Sequence, residues 1–330
     1  MYPLLFEPIY KEKIWGGDAL EALFDRKLPS RRVGESWEIA AHSHGQSVVS
    51  NGPLAGTKLA DLIQNRRREI MGDTPLGDDG QFPLLVKLLD CNDWLSVQVH
   101  PDDDYARQYA QGELGKTETW IVLATQPGAK IVYGTKPGTT REQFAEAIAK
   151  GTVEELLQLV EVQVGEVYSV PAGTLHALGR GVVVAEIQQN SDTVYRVYDW
   201  NRLGDDGQPR ELHVKQALEV IDFQQVVPAP EERVKGDSAL IETTSQYQRS
   251  LLDANDKYVI EGIELKGQWR VEPENRMEIF VLIDGQCTMS GGGEEVKLRS
   301  GTSVLVPAAV KDLTIEGAGL WLRTFVPTQE

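Results

Sequence analysis

At 330 residues the chain is too long for one small core and suits two, and its 41% hydrophobic and 25% charged residues exclude a disordered or fibrous protein. A net charge of −17, with no basic stripe beyond Arg66-Arg67-Arg68, argues against nucleic acid as a partner, because affinity for phosphate backbones rests on clustered Lys and Arg. No run approaches the roughly 18 apolar residues that span a bilayer, and the opening MYPLLFEPIYKEKIWGG lacks the basic flank and long apolar stretch of an export signal, so a cytoplasmic protein with no membrane partner is expected. The two cysteines, Cys91 and Cys287, stand far apart in or beside apolar runs and read as buried free thiols.

In chain order, short β runs punctuated by Gly, Pro, Asn and Asp dominate: SVVSNG, LSVQVHP, TWIVLAT, KIVYG, GVVVAEIQ, TVYRVYDW and EIFVLIDG. Helical periodicity is confined to about Thr57–Met71, Asp102–Ala110, Thr140–Leu159 with a break at Gly151, and Leu212–Ile221. The chain therefore reads as mainly β, a barrel or sandwich decorated by helices. The Pro-rich, charged stretch VVPAPEERVKGD (Val226–Asp237) has linker composition, dividing the chain into 1–235, with helical segments near 57–71 and 139–160, and an all-β tail, 236–330.

An internal repeat supports this division. Gly165 is followed by Pro171 and His176, and in the tail Gly301, Pro307 and Asp312 keep the same spacings. Upstream of each lies a similar strand, one beginning at Glu118 and the other at Glu278. The first interval is longer by 24 residues, which matches the helical segment near 139–160. One barrel plan thus occurs twice, with a helical insertion in the first copy. The second copy has Asp312 where the first has His176, so the tail is expected to hold no metal and to serve structure.

Alternation places Ser96, Gln98 and His100 on one face of LSVQVHP and Leu95, Val97 and Val99 on the other. Glu118 opens the next strongly β-branched run, and His176 ends GEVYSVPAGTLH, whose Gly and Pro residues form a tight turn. Two imidazoles, a carboxylate and an amide oxygen make an open site suited to zinc or another borderline divalent ion. The pair His42-x-His44 is a weaker alternative, since no glutamate follows it until Glu69.

The stretch Gly165–His176 resembles the second motif of the cupin superfamily, with its glycines, proline and histidine at the same intervals. The first motif departs from the usual pattern, having Gln98-x-His100 in place of a histidine pair. Together IYKEKIWGG, GESWEIAAH, LSVQVHPDD, GKTETW, VPAGTLHAL and EIQQNSDTVYRVYDWNR resemble the type I mannose-6-phosphate isomerases in their short bacterial form, over roughly Met1–Phe223. That resemblance implies two cupin (jelly-roll) β-barrels, the second degenerate. It also implies reversible interconversion of mannose 6-phosphate and fructose 6-phosphate with one Zn2+ per chain. The implied ligands are Gln98, His100, Glu118 and His176, with Arg196 as the active-site arginine.

Aldose–ketose isomerisation moves a proton between neighbouring carbons through a cis-enediol. A metal can polarise the carbonyl, and a separate group must carry the proton. Lys116, Glu38 and a metal-bound water are the candidates, and the sequence does not choose among them. Arg196, mid-strand in TVYRVYDW, reads as an electrostatic clamp and Lys116 as an ammonium near the metal, both catalytic. Arg202 just after that strand, Lys87 interrupting the apolar run Phe82–Leu89, and Glu38 are expected to face the substrate. Trp15 and Trp37 are read as core. A sugar phosphate is the expected partner, for a monomer or weak homodimer. The competing readings are a metal-dependent dioxygenase and a non-catalytic sugar-binding cupin.

Overall fold

A computed structural model describes residues 1–110, 112–228 and 239–328. The first part is a sandwich of two antiparallel sheets. One has six strands in the order Val167–Val170, Glu118–Thr125, Val182–Gln189, Leu84–Cys91, Ile9–Gly17 and Val33–Ile39. The other has five, in the order Leu157–Glu161, Lys130–Thr135, His176–Leu178, Val97–Val99 and Tyr195–Tyr198. The fold is mainly β and cupin-like, as expected, but hydrogen bonding does not close the strands into continuous barrels.

Every residue of Leu84–Cys91 and of Val182–Gln189 is buried, which explains why both read as largely apolar runs and not as alternating ones. Their two faces meet different cores. Leu89, Trp120, Val122 and Val184 point inward against Ile131, Tyr133 and Leu178 of the five-stranded sheet. Val86, Leu88, Ile121, Ala185 and Ile187 point outward into a core shared with the helix Leu59–Met71 and with Ile260, Ile279 and Leu305 of the tail. The outer face of the five-stranded sheet packs Val97, Val99 and Val197 beneath Phe144 and Ala217, carried by the helices Arg141–Lys150 and Val214–Val220.

The tail forms one nine-stranded sheet around the long strands Glu278–Gly291 and Thr314–Phe325. Its edge strand is not its own: Leu4–Leu5 pairs antiparallel with Leu305 and Val304. Further ties join the two parts. Gly72, at φ +57, bridges to Arg276, and a Cβ there would meet Asn275 O at 2.3 Å, so only glycine fits. Lys257 Nζ lies 2.8 Å from Asp103 Oδ2, and Thr119 Oγ1 bonds the Asp253 carboxylate.

Several expectations need correction. The helix begun at Thr140 has the Thr140–Gln143 capping box but ends at Gly151 in the left-handed conformation. After a short 3-10 turn, Leu157–Glu161 alternates as a strand against Lys130–Thr135, so the segment near 157–160 is not helical. The run SVVSNG contributes only isolated bridges at Val48 and Val49. A helix at Ala19–Phe24, too short to show a periodicity, was not anticipated. Most of the linker stretch Val226–Asp237, including the boundary at 235, lies outside the described residues. Both cysteines are buried and free, and no helix among the described residues is long and apolar enough to cross a membrane.

The repeat is realised as the same register. Glu118 faces Val170 across its strand pair, and Glu278 faces Val306. On the neighbouring strand, Glu186 opposes Trp120 and Lys87 in the first part, while Arg323 opposes Phe280 and Glu261 in the tail. The buried charges are therefore inverted. Arg323, 3% exposed, donates to Glu278 Oε2 at 2.8 Å and to Glu261 Oε2 at 3.0 Å, so Glu278 already has a cation. Asp312, at the position of His176, is exposed and accepts from Gly292 N at 2.7 Å. Arg323→Ala leaves Glu278 and Glu261 buried without their shared cation and is expected to cost about 3–5 kcal/mol, read by denaturant unfolding; a loss below about 1 kcal/mol would contradict this account.

Candidate metal centre

Three adjacent strands of the five-stranded sheet bring a row of side chains together. His176 on His176–Leu178 is in register with Gln98 on Val97–Val99, and Gln98 is in register with Arg196 on Tyr195–Tyr198. Directly opposed residues on neighbouring strands share a face with Cβ atoms about 4.5–5.5 Å apart. Glu118 enters from the facing sheet, and His100 immediately follows the strand Val97–Val99. Donor atoms of His100, Glu118 and His176 all lie within 4.8 Å of one another, and each of the three residues is 1% exposed. His176 Nε2 stands 3.4 Å from Glu118 Oε1, and His100 Nε2 stands 3.6 Å from Glu118 Oε2.

The protein fixes which nitrogen each imidazole offers. His100 Nδ1–H donates to Thr193 O at 2.7 Å and His176 Nδ1–H donates to Thr174 O at 2.8 Å, leaving both Nε2 atoms turned toward Glu118. Glu118 Oε1 is buried and accepts no hydrogen bond among the described residues. A cation held by two imidazoles and this carboxylate would complete the site, and the nitrogen–oxygen donor set suits zinc and similar ions. Gln98 presents its amide NH2 to His176 Nε2 at 3.4 Å and its oxygen to Ser96 Oγ at 3.3 Å. A half-turn of the amide gives up only these long contacts and turns its oxygen to the ligand set.

Electrostatics prepare the site for a cation. Burial depresses His176 to about 4 and carries His100 well below the usual imidazole range, with the Lys116 ammonium adding to both effects. Both rings are therefore neutral ligands. Burial and then the Glu186 carboxylate push Glu118 up to about 7, against the pull of Lys116. Lys116 Nζ lies 2.7 Å from Glu118 Oε2 and 3.3 Å from His100 Nε2.

A polar row continues from the centre. Trp120 packs edge-on against His176, with ring centroids 5.3 Å apart, and its Nε1–H donates to Glu186 Oε2 at 3.0 Å. Lys87, 3% exposed, reaches Glu186 Oε1 at 3.2 Å and lies over the Trp37 ring. Burial alone would lower Lys87, but Glu186 and Glu35 hold it above its ordinary value. Arg196 is half-buried, donating from Nε to Ser96 Oγ at 3.1 Å and from Nη1 to Glu211 O at 2.9 Å. Burial and its neighbours Arg210 and Arg202 lower its pKa.

The expected residues are not all brought together. Gln98, His100, Glu118, His176, Lys116 and Arg196 converge, and Lys87 joins them through Glu186 and Trp120. Arg202 stands near Arg196 but is paired with Asp199 at 2.8 Å and Asp93 at 3.1 Å. Glu38 does not reach the centre. It sits with Ser36, on the opposite face of its strand from Trp37, where Arg26 grips both its oxygens at 2.7 and 2.9 Å. His42 and His44 bind Glu113 and Asp192 and belong to no candidate ligand cluster among the described residues. Trp15 and Trp37 are buried, at 4% and 1% exposure. Glu186 and Arg210 were missed; Glu186 had a signal, since it interrupts one apolar run as Lys87 interrupts the other.

The family model described as phosphomannose isomerase type I, catalytic domain, matches residues 4–121, and that described as mannose-6-phosphate isomerase, cupin domain, matches residues 251–326. A probable mannose-6-phosphate isomerase of Bacillus subtilis is 39% identical over 318 residues, covering 96% of each chain. The chain belongs to the type I phosphomannose isomerase family. A mannose-6-phosphate isomerase of Streptococcus mutans is 36% identical, covering 96% of this chain and 95% of its own. The crystal structure of the mannose 6-phosphate isomerase from Bacillus subtilis superimposes with a TM-score of 0.90 at 35% identity, covering 99% of this chain and 100% of that one. Membership of the phosphomannose isomerases agrees with the motif resemblance.

Because Glu118 is the only ligand that binds a proton near neutrality, metal must displace that proton. With its carboxyl raised to about 7, Zn2+ binding to metal-free protein should release more protons at pH 6 than at pH 8, because the carboxyl is more fully protonated at the lower pH. Calorimetry in buffers of different ionisation enthalpy reads this difference, and pH-independent release would refute the assignment.

Proposed function

We propose that the protein is a zinc-dependent mannose-6-phosphate isomerase of the cytoplasm, interconverting mannose 6-phosphate and fructose 6-phosphate. The observation that carries this reading is the in-register row His176–Gln98–Arg196, which sets an arginine beside an oriented ligand set. His100, Glu118, His176 and Gln98 would hold the ion. When bound, the ion supplies Lewis-acid polarisation of the substrate's oxygens.

The chain's own groups carry the rest. Arg196, with the nearby Arg202 and Arg210, forms a cationic wall beside the ligand set, suited to the negative charge that develops at oxygen and to the phosphate. Asp199 orders that wall by accepting from both Arg202 and Arg210. Lys116 is the ionisable group at the ligand set that no metal bond consumes, and we assign it the proton transfer between the two substrate carbons. Glu38, on the far face of its strand and clamped by Arg26, takes no part. Lys87 and Glu186 position Trp120 and hence the His176 ring. Residues 1–235 form the catalytic unit, and the tail supports it.

Fructose 6-phosphate formation from mannose 6-phosphate should vanish with chelator and return with Zn2+. His176→Ala should lose the metal, whereas Arg196→Ala should keep it and lose activity. Lys116→Met, similar in length but without charge, is expected to retain metal and to lower kcat by about 10²–10⁴, the usual worth of a positioned acid–base group. Absence of turnover in fully zinc-loaded wild type would sink the isomerase reading; an unchanged kcat in Lys116→Met would remove Lys116 from the proton path alone.

A further inference from the structure

On the side of the first part away from the metal centre, a cavity of about 270 Å3 lies where that part meets the tail. Tyr10 and Phe24 give it an aromatic wall, Arg26, Lys27 and Arg299 a cationic rim, and Ser303 a hydroxyl from the tail's strand Thr302–Val306. It is at the small end of ligand pockets, which run from about 300 to 1,000 Å3, with room for a phosphate group and a short polyol but not for a nucleotide.

Two independent features of this cavity call for a ligand. Ser303 is 6% exposed, yet its hydroxyl has no hydrogen-bond partner among the described residues, an arrangement folded proteins avoid. The rim is also cationic in a chain of net charge −17. Glu38 adds little repulsion, because Arg26 binds both its oxygens and also donates to Ser36 and to Gly301 O. Lys27 is exposed and has no ion-pair partner among the described residues. Among the described residues Arg299 pairs only with Asp25, at 2.8 Å, whose side chain is 94% exposed and easily exchanged for a stronger anion.

We propose that this cavity is a second, non-catalytic site for a phosphate dianion, free or carried on a small polyol. The phosphate is held by Lys27 and Arg299, and a ligand oxygen completes Ser303.

Sorbitol 6-phosphate has no carbonyl to isomerise and serves as the probe. Calorimetric titration into the full-length, metal-loaded protein should show a second equivalent per chain beside the one at the metal centre. Lys27→Ala/Arg299→Ala alters only exposed side chains and should weaken the second equivalent by about tenfold, or ~1.4 kcal/mol, with the first equivalent and the metal content unchanged. Ser303→Ala, which removes only the hydroxyl, should weaken it as well. If inorganic phosphate displaces the second equivalent, the phosphate group alone is recognised; if it does not, the ester is recognised as a whole, and both results support the site. A single equivalent in the wild type, or a second one that neither variant weakens, overturns the proposal.

Discussion

The structure turns on one carboxylate buried between two sheets. Glu118 is 1% exposed, and a charge removed from water that far is tolerated only when cations or donors meet it. Lys116 supplies part of that balance. Lys87 adds only a weaker pull, being engaged first by Glu186 and Glu35. The remaining lone pairs of Glu118 face two imidazoles whose protonation burial forbids. A site with a buried anion, neutral nitrogen donors and no internal cation to spare binds a metal ion because its alternatives are costly, and the rise of Glu118 to about 7 is the same cost expressed as proton affinity.

The tail shows the other solution to the same problem. It keeps the strand pair, the register and the glutamate, with Glu278 opposite Val306 as Glu118 is opposite Val170. One strand over, Glu186 is replaced by Arg323, and a guanidinium with a planar fork satisfies Glu278 and Glu261 together. The next strand answers in kind, Lys87 giving way to Glu261. A carboxylate that already holds an internal cation has no need of an external one. The change from His176 to Asp312 is therefore only part of what separates the two copies; the charge inversion in the core is the larger part.

Much of this was legible in the sequence because it follows from period-2 alternation. The shared face of Ser96, Gln98 and His100 and the spacing repeat that aligned Glu118 with Glu278 both carried over directly into the structure. Lys87 could be picked out because an ammonium inside PLLVKLLD must have a partner, though alternation could not name Glu186 as that partner. What stayed hidden depends on contacts far apart in sequence or on departures from regular geometry. Glu38 seemed eligible, but the register shift between Trp37 and Ile39 and the bond to Ser36 turn it away from the centre. Leu4–Leu5 is too short to declare its place as an edge strand of the tail, and Arg210 lies in a loop with no period to read.

Residues set by sheet register need no further support, since a one-residue slip would send every side chain to the wrong face. Lys116 has no such guarantee, because it precedes its strand. Its backbone N–H donates to Pro101 O at 3.0 Å, and the preceding Gly115 N–H donates to Asp103 Oδ1 at 2.9 Å. Asp103 is in turn held by the Gln189 amide at 3.0 Å and by Lys257 of the tail at 2.8 Å. Burial would raise the Asp103 pKa, but Lys257 brings it below the ordinary value, so the carboxylate stays charged and keeps its grip on the turn. The tail thus reaches the ligand set through two side chains. This gives a physical reason for the second copy of the fold to stay attached: it fixes the one ammonium beside the ligand set that the sheets of the first part leave outside their register.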